Sequence, residues 1–302
     1  MAQDKLRFGT EKIYKKAFLK MFWGEEEINE ETLEDSFKGA VAACIPSLFM
    51  HLFEGYFPYY APFFAIDGRG GLMRERETFI HQMLTTWRPP VSMSAPASSF
   101  IRDEESLNPE HRNEHLAQFA EFAEEKLGFK IELRREPPRY VIKIGKLDVP
   151  IFRAPSGYRE LAPILYELRY SEDPFPIFAI EEPEAHLHPD AQSITVRMLA
   201  GVAAKSKAQV FMTTHELRIL DEISNLLRLN KLNEEEKRRA GYERWEGISP
   251  DDVCLYFFRR DGIVEPVEVF EDGLGEHGLE RIYIEMANTH ALVERIFREK
   301  QG

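Results

Sequence analysis

Cysteine is scarce in this sequence, and its scarcity limits the kinds of site the chain can hold. Only Cys44 and Cys254 occur among 302 residues, and no Cys-x-x-Cys pair is present. Neither a disulfide framework nor a thiolate zinc site is therefore indicated. The first residues, M-A-Q-D-K-L-R-F, also lack the apolar core of a signal peptide. Together these features predict a reducing, cytoplasmic setting.

Positive charge and long apolar runs are lacking as well. The formal net charge is −13, which argues against a protein whose whole surface binds nucleic acid but leaves a local basic groove open. The most apolar stretch, residues 37–66, is interrupted by Pro46, His51, Glu54 and Pro58, whereas a membrane helix needs roughly 20 uninterrupted apolar residues. We expect a core helix with an aromatic loop, or a surface covered by a partner chain, and no membrane contact.

Helices alternate with apolar strands in the second half of the chain, a pattern typical of a parallel α/β fold. Further towards the amino terminus, an amphipathic helix ending at Gly128 precedes two alternating strands around a Pro-Pro turn. We therefore divide the chain into two regions. Residues 1–147 are expected to be mainly helical, with an aromatic-rich segment and a small antiparallel β element, and residues 148–302 are expected to form the α/β lobe.

Two further stretches are interpreted as connections. Residues 67–71, D-G-R-G-G, lie between a strand and a helix, where glycines can cradle phosphate. Their spacing fits no phosphate loop, so a turn is the preferred interpretation. Residues 231–247 carry charges of both signs and are interpreted as a solvated insertion.

The apolar strand at 177–180 ends in two carboxylates, Glu181 and Glu182. A run that is apolar on both faces is typical of a buried parallel strand, and ligands bind beyond the carboxyl ends of such strands. Adjacent side chains leave a strand in opposite directions. One carboxylate can therefore hold a divalent cation while the other polarises a water molecule. The alternative is a polar strand end that merely meets solvent.

Two other features belong with this strand end. His215 ends the neighbouring apolar strand, and parallel strands bring such ends together at one edge of a sheet. Ser156-Gly157 opens a helix and could bind an anion through the serine hydroxyl, the backbone N–H groups and the helix dipole. Taken alone, however, Ser156 is better interpreted as an ordinary serine N-cap.

His186 and His188 lie two residues apart, with acidic neighbours at Glu182 and Glu184. Imidazole and carboxylate groups of this kind can hold zinc or another transition metal. The H-x-H pattern is small and has many chance matches, so a dedicated metal site is not the preferred interpretation.

Three of these motifs, in this order, resemble a known family. S-G-x-x-E opening a helix, then I-E-E-P-E-A-H-L-H-P, then V-F-M-T-T-H-E is similar to the carboxyl-terminal half of an ABC-class ATPase head of the OLD-like and SMC-like branch. The resemblance covers roughly residues 148–272. It implies a parallel-sheet ABC-type lobe that uses ATP and Mg²⁺ and works as a head-to-tail dimer.

The resemblance also implies a role for the residues of the hydrolytic side. Glu181 matches the Walker B position that coordinates magnesium, and Glu182 matches the catalytic carboxylate that orients the attacking water. His215 matches the switch histidine that senses the γ-phosphate of ATP.

Other matching residues would act across the dimer. Ser156, Gly157 and Glu160 fall at the signature, which binds the ATP held by the other subunit. The signature departs from the family pattern, because Tyr158 stands where a small residue is usual. The D-loop, which communicates across the dimer, contains Glu184, His186 and His188.

One part that this family needs does not occur in the sequence. A phosphate-binding loop reads G-x-x-x-x-G-K-[ST], and its backbone N–H groups and lysine bind the phosphates. The one Gly-Lys dipeptide is Gly145-Lys146, with Leu147 in place of Ser or Thr and Tyr140 in place of the first Gly. Three explanations are open: a split ATPase completed by a second polypeptide, a fragment of a longer protein, or a degenerate ATPase-like protein.

We therefore expect an ATPase subunit or fragment whose Mg-ATP site is completed by a Walker A lobe on another segment or chain. DNA maintenance or defence is the expected setting, with DNA as a partner. The alternative function is a catalytically inactive ATPase-like scaffold. A metal-dependent nuclease acting through His186 and His188 ranks last.

Overall fold

The computed structural model describes residues 63–75, 95–137, 139–172, 177–206, 208–259, 261–276 and 278–300. The acidic amino-terminal stretch and most of the apolar stretch 37–66 lie outside the described residues. The expectations for those two stretches stay predictions.

The described elements are labelled in chain order. Helices α1–α7 run over Ala95–Ser106, Ala117–Leu127, Ser156–Tyr170, Pro189–Lys205, Leu217–Leu229, Glu234–Arg239 and Gly278–Glu299. Strands β1–β10 run over Phe63–Ala65, Lys130–Leu133, Tyr140–Ile144, Leu147–Pro150, Ile177–Glu181, Gln209–Thr213, Leu255–Phe258, Val264–Val267, Val269–Phe270 and Gly273–Leu274. A further helical segment, 69–75, begins soon after β1.

A parallel three-stranded sheet carries the candidate site. β5 lies in the middle, with β1 on one side and β6 on the other. Ala65 pairs with Ile180, and Glu181 pairs with Thr213, so the carboxyl ends of all three strands lie at one edge. Phe178 in the middle of β5 is fully buried, as expected for a strand covered on both faces. The prediction of a parallel α/β sheet is confirmed.

Strands β2, β3 and β4 form a separate antiparallel sheet. The two predicted strands around the Pro-Pro turn are present, whereas β4 was not predicted because it is short and ends in a proline. Gly145 and Lys146 form the two-residue turn between β3 and β4, with Gly145 at φ +60°. The Gly-Lys dipeptide is therefore a hairpin turn and not a phosphate loop.

One apolar core continues across the predicted boundary at residue 147. Phe119 and Ile142 from the amino-terminal side pack in the same cluster as Leu161 and Phe178 from the α/β lobe. Full burial of each such side chain contributes roughly 1.5–3 kcal/mol to folding. The boundary marks a change in sequence pattern, and the packing is continuous across it.

The charged stretch 231–247 is solvated only in its first half. Helix α6 is exposed, but Trp245 packs edge-on against Phe119 with 5.5 Å between ring centroids. Glu246 is 1% exposed and pairs with Arg197 at 2.6 Å. The prediction of a solvated insertion is wrong for this half, because a partly buried aromatic ring and a buried, paired charge pack against α4.

Most of the side chains of helix α7 are exposed. Leu279 in its first turn packs against a second apolar cluster, which is centred on α5. Farther along α7, several large apolar side chains are more than half exposed: Ile284, Met286, Leu292, Val293 and Phe297. Among the described helices, none is long and apolar enough to cross a membrane.

Gly201 provides a test of the packing between α4 and Trp245. An added Cβ would lie 2.4 Å from Trp245 Cζ3 and 2.8 Å from Phe119 Cε1. We expect Gly201→Ala to lower the free energy of unfolding by about 1–3 kcal/mol in urea denaturation, because overpacking outweighs the roughly 1 kcal/mol that alanine gains in a helix. Gly71→Ala is the matched control, since Gly71 is also helical and has open space at its Cβ position. Equal stability of the two variants would contradict the packing.

Candidate functional site

Polar groups from three chain segments meet at the carboxyl-terminal edge of the parallel sheet. Asp67 follows β1, Glu181 ends β5 and Glu182 comes directly after it, and His215 follows β6. The parallel register places these strand ends side by side. His215 Nε2 lies 3.5 Å from Glu182 Oε1, so the structure brings together two residues that are separated along the chain by helix α4 and strand β6.

The two carboxylates of β5 have different neighbours. Glu181 Oε2 accepts a hydrogen bond of 2.8 Å from the backbone N–H of Asp67. Glu182 instead faces His215, and both of these side chains are exposed to solvent, at 38% and 83%. One oxygen of Glu181 is therefore bound to the neighbouring strand end, while the Glu182 carboxylate is exposed to solvent beside His215.

Glu182 has an unusual backbone conformation. Its φ is +44°, a left-handed conformation that costs a non-glycine residue about 1–2 kcal/mol. Its backbone N–H donates to Thr213 O at 3.1 Å. Its backbone carbonyl accepts from the N–H of Ala185 at 3.0 Å. The turn is therefore held on both sides of the strained residue.

Glu184 anchors the turn that follows β5. The side chain is buried, and Oε1 accepts hydrogen bonds from Thr214 Oγ1 at 2.5 Å and from the backbone N–H of His215 at 3.3 Å. His186, two residues later, is exposed and also left-handed, with φ +59°. Glu184 thus fixes the backbone that carries His215.

Ser156 begins α3 as predicted, but it does not cap the helix. Pro155 occupies the N-cap position, and no side chain makes a capping hydrogen bond there. The interpretation of Ser156 as an ordinary serine N-cap is therefore wrong. The amino-terminal N–H groups of a helix carry partial positive charge, which suits an anion.

The next two residues explain why the helix start sits where it does. A Cβ on Gly157 would lie 3.0 Å from His186 O, so the absence of a side chain lets α3 approach the turn after β5. The ring of Tyr158 packs edge-on against Phe129, with 5.0 Å between centroids. The tyrosine that departs from the family signature is therefore directed into the protein.

Glu160 lies in the first turns of α3 and is 3% exposed. Its Oε1 accepts from the backbone N–H of Gly70 at 3.1 Å, and its Oε2 lies 3.5 Å from Arg69 Nε. Burial raises the pKa of the Glu160 carboxyl, and the charge of Arg69 opposes that shift. The carboxylate faces the chain's own Gly-rich turn, and its contact with a partner's nucleotide stays a prediction.

His188 has a structural explanation. Its Nδ1 accepts from the backbone N–H of Asp190 at 3.4 Å and caps α4. In the part of the chain that the structure describes, no group of three or more His, Cys, Asp or Glu side chains is placed to hold a metal ion. The geometry gives no support to a transition-metal site at His186 and His188.

Sequence reasoning missed Asp67 and Arg69, which lie in D-G-R-G-G. The interpretation of this stretch as a turn is correct for the backbone, since β1 ends at Ala65, Gly68 has φ +73° and a helix begins at Arg69. A signal was present nonetheless. A turn after a strand that pairs with β5 has to lie at the same sheet edge as Glu181.

Glu184 offers a test of the turn that carries His215. Glu184→Leu removes the acceptor of two hydrogen bonds, and we expect it to lower the free energy of unfolding by about 1–3 kcal/mol. Glu184→Gln keeps one carbonyl oxygen and should cost less. Urea unfolding of both variants measures the difference, and a leucine variant as stable as the glutamine variant would show that the two hydrogen bonds do not hold this turn.

Comparison with known proteins adds a family-level finding. A family described as AAA ATPase domain matches residues 90–220, which is less than half of the chain. The matched stretch runs from the start of the described helix α1 into α5 and contains Ser156, both β5 carboxylates and His215. No curated protein matches the chain. The match supports an ATP-dependent function in general, in agreement with the site at the sheet edge.

Proposed function

We propose that this chain supplies one half of a composite Mg-ATP hydrolysis site, and that a Walker A-containing lobe on another segment or chain supplies the other half. The meeting of Glu182 and His215, 3.5 Å apart beside Glu181, carries the proposal. The AAA ATPase domain match over residues 90–220 supports it. The motif resemblance supports an ABC-type ATPase of the OLD-like and SMC-like branch as the kind of protein proposed.

Glu181 is the residue that would hold Mg²⁺. Magnesium prefers one or two carboxylates together with phosphate oxygens and water. Glu181 fits this need because its carboxylate stands at the sheet edge and is oriented there by the backbone N–H of Asp67. Bound Mg²⁺ supplies charge neutralisation for the phosphates.

Glu182 and His215 would act on water and on the γ-phosphate. The carboxylate of Glu182 accepts a hydrogen bond from the attacking water and orients it, a contribution typically worth about 10²–10⁴-fold in rate. His215 is exposed and lies on the side of Glu182 away from β1. Its imidazole can hydrogen-bond a phosphate oxygen placed there.

The start of α3 would serve the other subunit of a head-to-tail dimer. Ser156 and Gly157 present an uncapped helix amino terminus, the place where a phosphate binds well. Glu160 belongs to the same motif and holds the helix start in place from within the chain. The D-loop residues Glu184, His186 and His188 follow β5 in the chain, and the backbone carbonyl of His186 lies against Gly157 at this helix start.

The sheet offers a place for the missing lobe. Among the described strands, β6 pairs with β5 alone, so its other edge can accept a further parallel strand. A phosphate loop at the end of that strand would lie beside His215, where the γ-phosphate has to be. ATP turnover would then drive engagement and release of two heads around DNA, an assignment that rests on the resemblance alone.

The catalytic assignment is tested with Glu182→Gln. The variant is assayed in a complex with a polypeptide that carries G-x-x-x-x-G-K-[ST], sought first in the reading frame directly upstream. We expect kcat for ATP hydrolysis to fall about 100-fold or more, while the Kd for Mg-ATP stays within about threefold, because the water loses its acceptor and the phosphate contacts remain. Glu235→Gln, in exposed helix α6, is the control and should hydrolyse ATP at the wild-type rate.

Three outcomes would contradict the proposal. Wild-type turnover by Glu182→Gln would remove Glu182 from the catalytic step. Full activity of the isolated chain would remove the need for a second lobe. Absence of Mg-ATP binding in calorimetry with the completed complex would favour the inactive scaffold.

A further inference from the structure

Arg69 is a buried charge that joins three chain segments at the candidate site. Its side chain is completely inaccessible to solvent. Nη1 donates to Glu181 O at 2.7 Å, and Nη2 donates to Glu182 O at 3.2 Å. Nε donates to Glu160 O at 2.8 Å. One guanidinium therefore ties the end of β5 to the first turns of α3.

We infer that Arg69 is a positioning residue for the two carboxylates Glu181 and Glu182. It fixes the backbone at the end of β5 and thereby the directions of these two side chains relative to the signature helix α3. The inference rests on the proposed function and adds a residue that neither the motifs nor the family match assigns. Arg69 touches neither nucleotide nor water in this role. It acts through the two carbonyl groups that it binds.

The strained backbone of Glu182 explains why such a residue is needed. A left-handed φ of +44° persists in a non-glycine residue only where its surroundings hold it. The Glu182 N–H is bound by Thr213 O, and the Glu182 carbonyl is bound by Arg69 Nη2. Loss of the second contact leaves the Glu182 carbonyl bound by the Ala185 N–H alone. The peptide after Glu182 is then held less firmly, and the direction of the carboxylate is less fixed.

The identity of the side chain matters as much as its charge. A guanidinium presents five N–H donors in a planar fork, so it can bind carbonyl groups of separate segments at once. Arg69 also binds Ile66 O at 3.1 Å, at the end of its own turn. A lysine ammonium is a single point of charge on a flexible stem and cannot span this set of acceptors.

The packing around Arg69 is built for close approach. Gly70 donates its backbone N–H to Glu160 Oε1 at 3.1 Å, and a Cβ on Gly70 would lie 2.4 Å from the same oxygen. Glu160 Oε2 lies 3.5 Å from Arg69 Nε. The Gly-rich turn thus brings Arg69 and the signature helix into direct contact, and a side chain at position 70 would displace the Glu160 carboxylate.

The test compares Arg69→Lys with Arg159→Lys in the complete ATPase complex. Arg159 is a matched control, because it also bridges α3 and the Gly-rich turn through Gly70 O but donates to neither β5 carbonyl. We expect Arg69→Lys to lower kcat per bound nucleotide about 10–100-fold, with KM for ATP within about threefold. Arg159→Lys should keep kcat within about threefold, even if its melting temperature falls equally.

The kcat value is normalised to bound Mg-ATP. A variant that is only less stable then has fewer folded sites that bind Mg-ATP, but each of those sites keeps the wild-type turnover. Arg69→Lys with wild-type turnover per bound nucleotide would overturn the inference. Equal loss of turnover in Arg159→Lys would also overturn it, because the effect would then follow general destabilisation of the turn.

A second measurement separates this inference from the proposed function. Amide hydrogen exchange of the segment 181–187 is followed in the folded chain without nucleotide. We expect faster exchange than in the wild type for Arg69→Lys and the wild-type exchange rate for Arg159→Lys. This result supports the positioning role even if the wild-type complex hydrolyses no ATP. Unchanged exchange in both variants overturns it, whatever the ATPase assay shows.

Discussion

A single buried guanidinium fixes the relation between the Gly-rich turn, the start of α3 and the end of β5. Burial lowers the pKa of Arg69, whereas the nearby carboxylates, first Glu160 and then Asp67, raise it. A buried charge without such partners would be strongly destabilising. The three segments therefore cannot move apart without exposing an uncompensated charge or leaving carbonyl groups unpaired, and the site geometry depends on that constraint.

Parallel pairing supplies the second constraint. Because β1, β5 and β6 run in the same direction and in register, their last residues are delivered to one edge without any specific side-chain contact. Side chains then refine the edge: Glu184 orients the His215 backbone, and Asp67 orients Glu181. The parallel direction of the strands thus brings these polar side chains to one edge of the sheet, and individual hydrogen bonds set their orientations.

The sequence predicted the parts of this arrangement that depend on local pattern. Apolar runs identify β5 and β6, and the polar residues that end them identify the edge. Arg69 could not be found this way, because its acceptors in Glu160 and Glu181 lie 91 and 112 residues away along the chain. The packing of Trp245 and the buried ion pair of Glu246 were missed for a similar reason, since they depend on partners in α2 and α4. Contacts between distant segments leave no periodic signal.

The left-handed backbone at Glu182 also restricts which residues can replace it. Asn, Asp and Gly adopt this conformation most readily, whereas Val, Ile and Thr are strongly disfavoured because of their branched Cβ atoms. Few substitutions can therefore remove the carboxylate at this position and keep the shape of the turn. The residue at this position therefore determines two separate properties: whether a carboxylate is present, and whether the backbone can adopt the left-handed conformation of the turn.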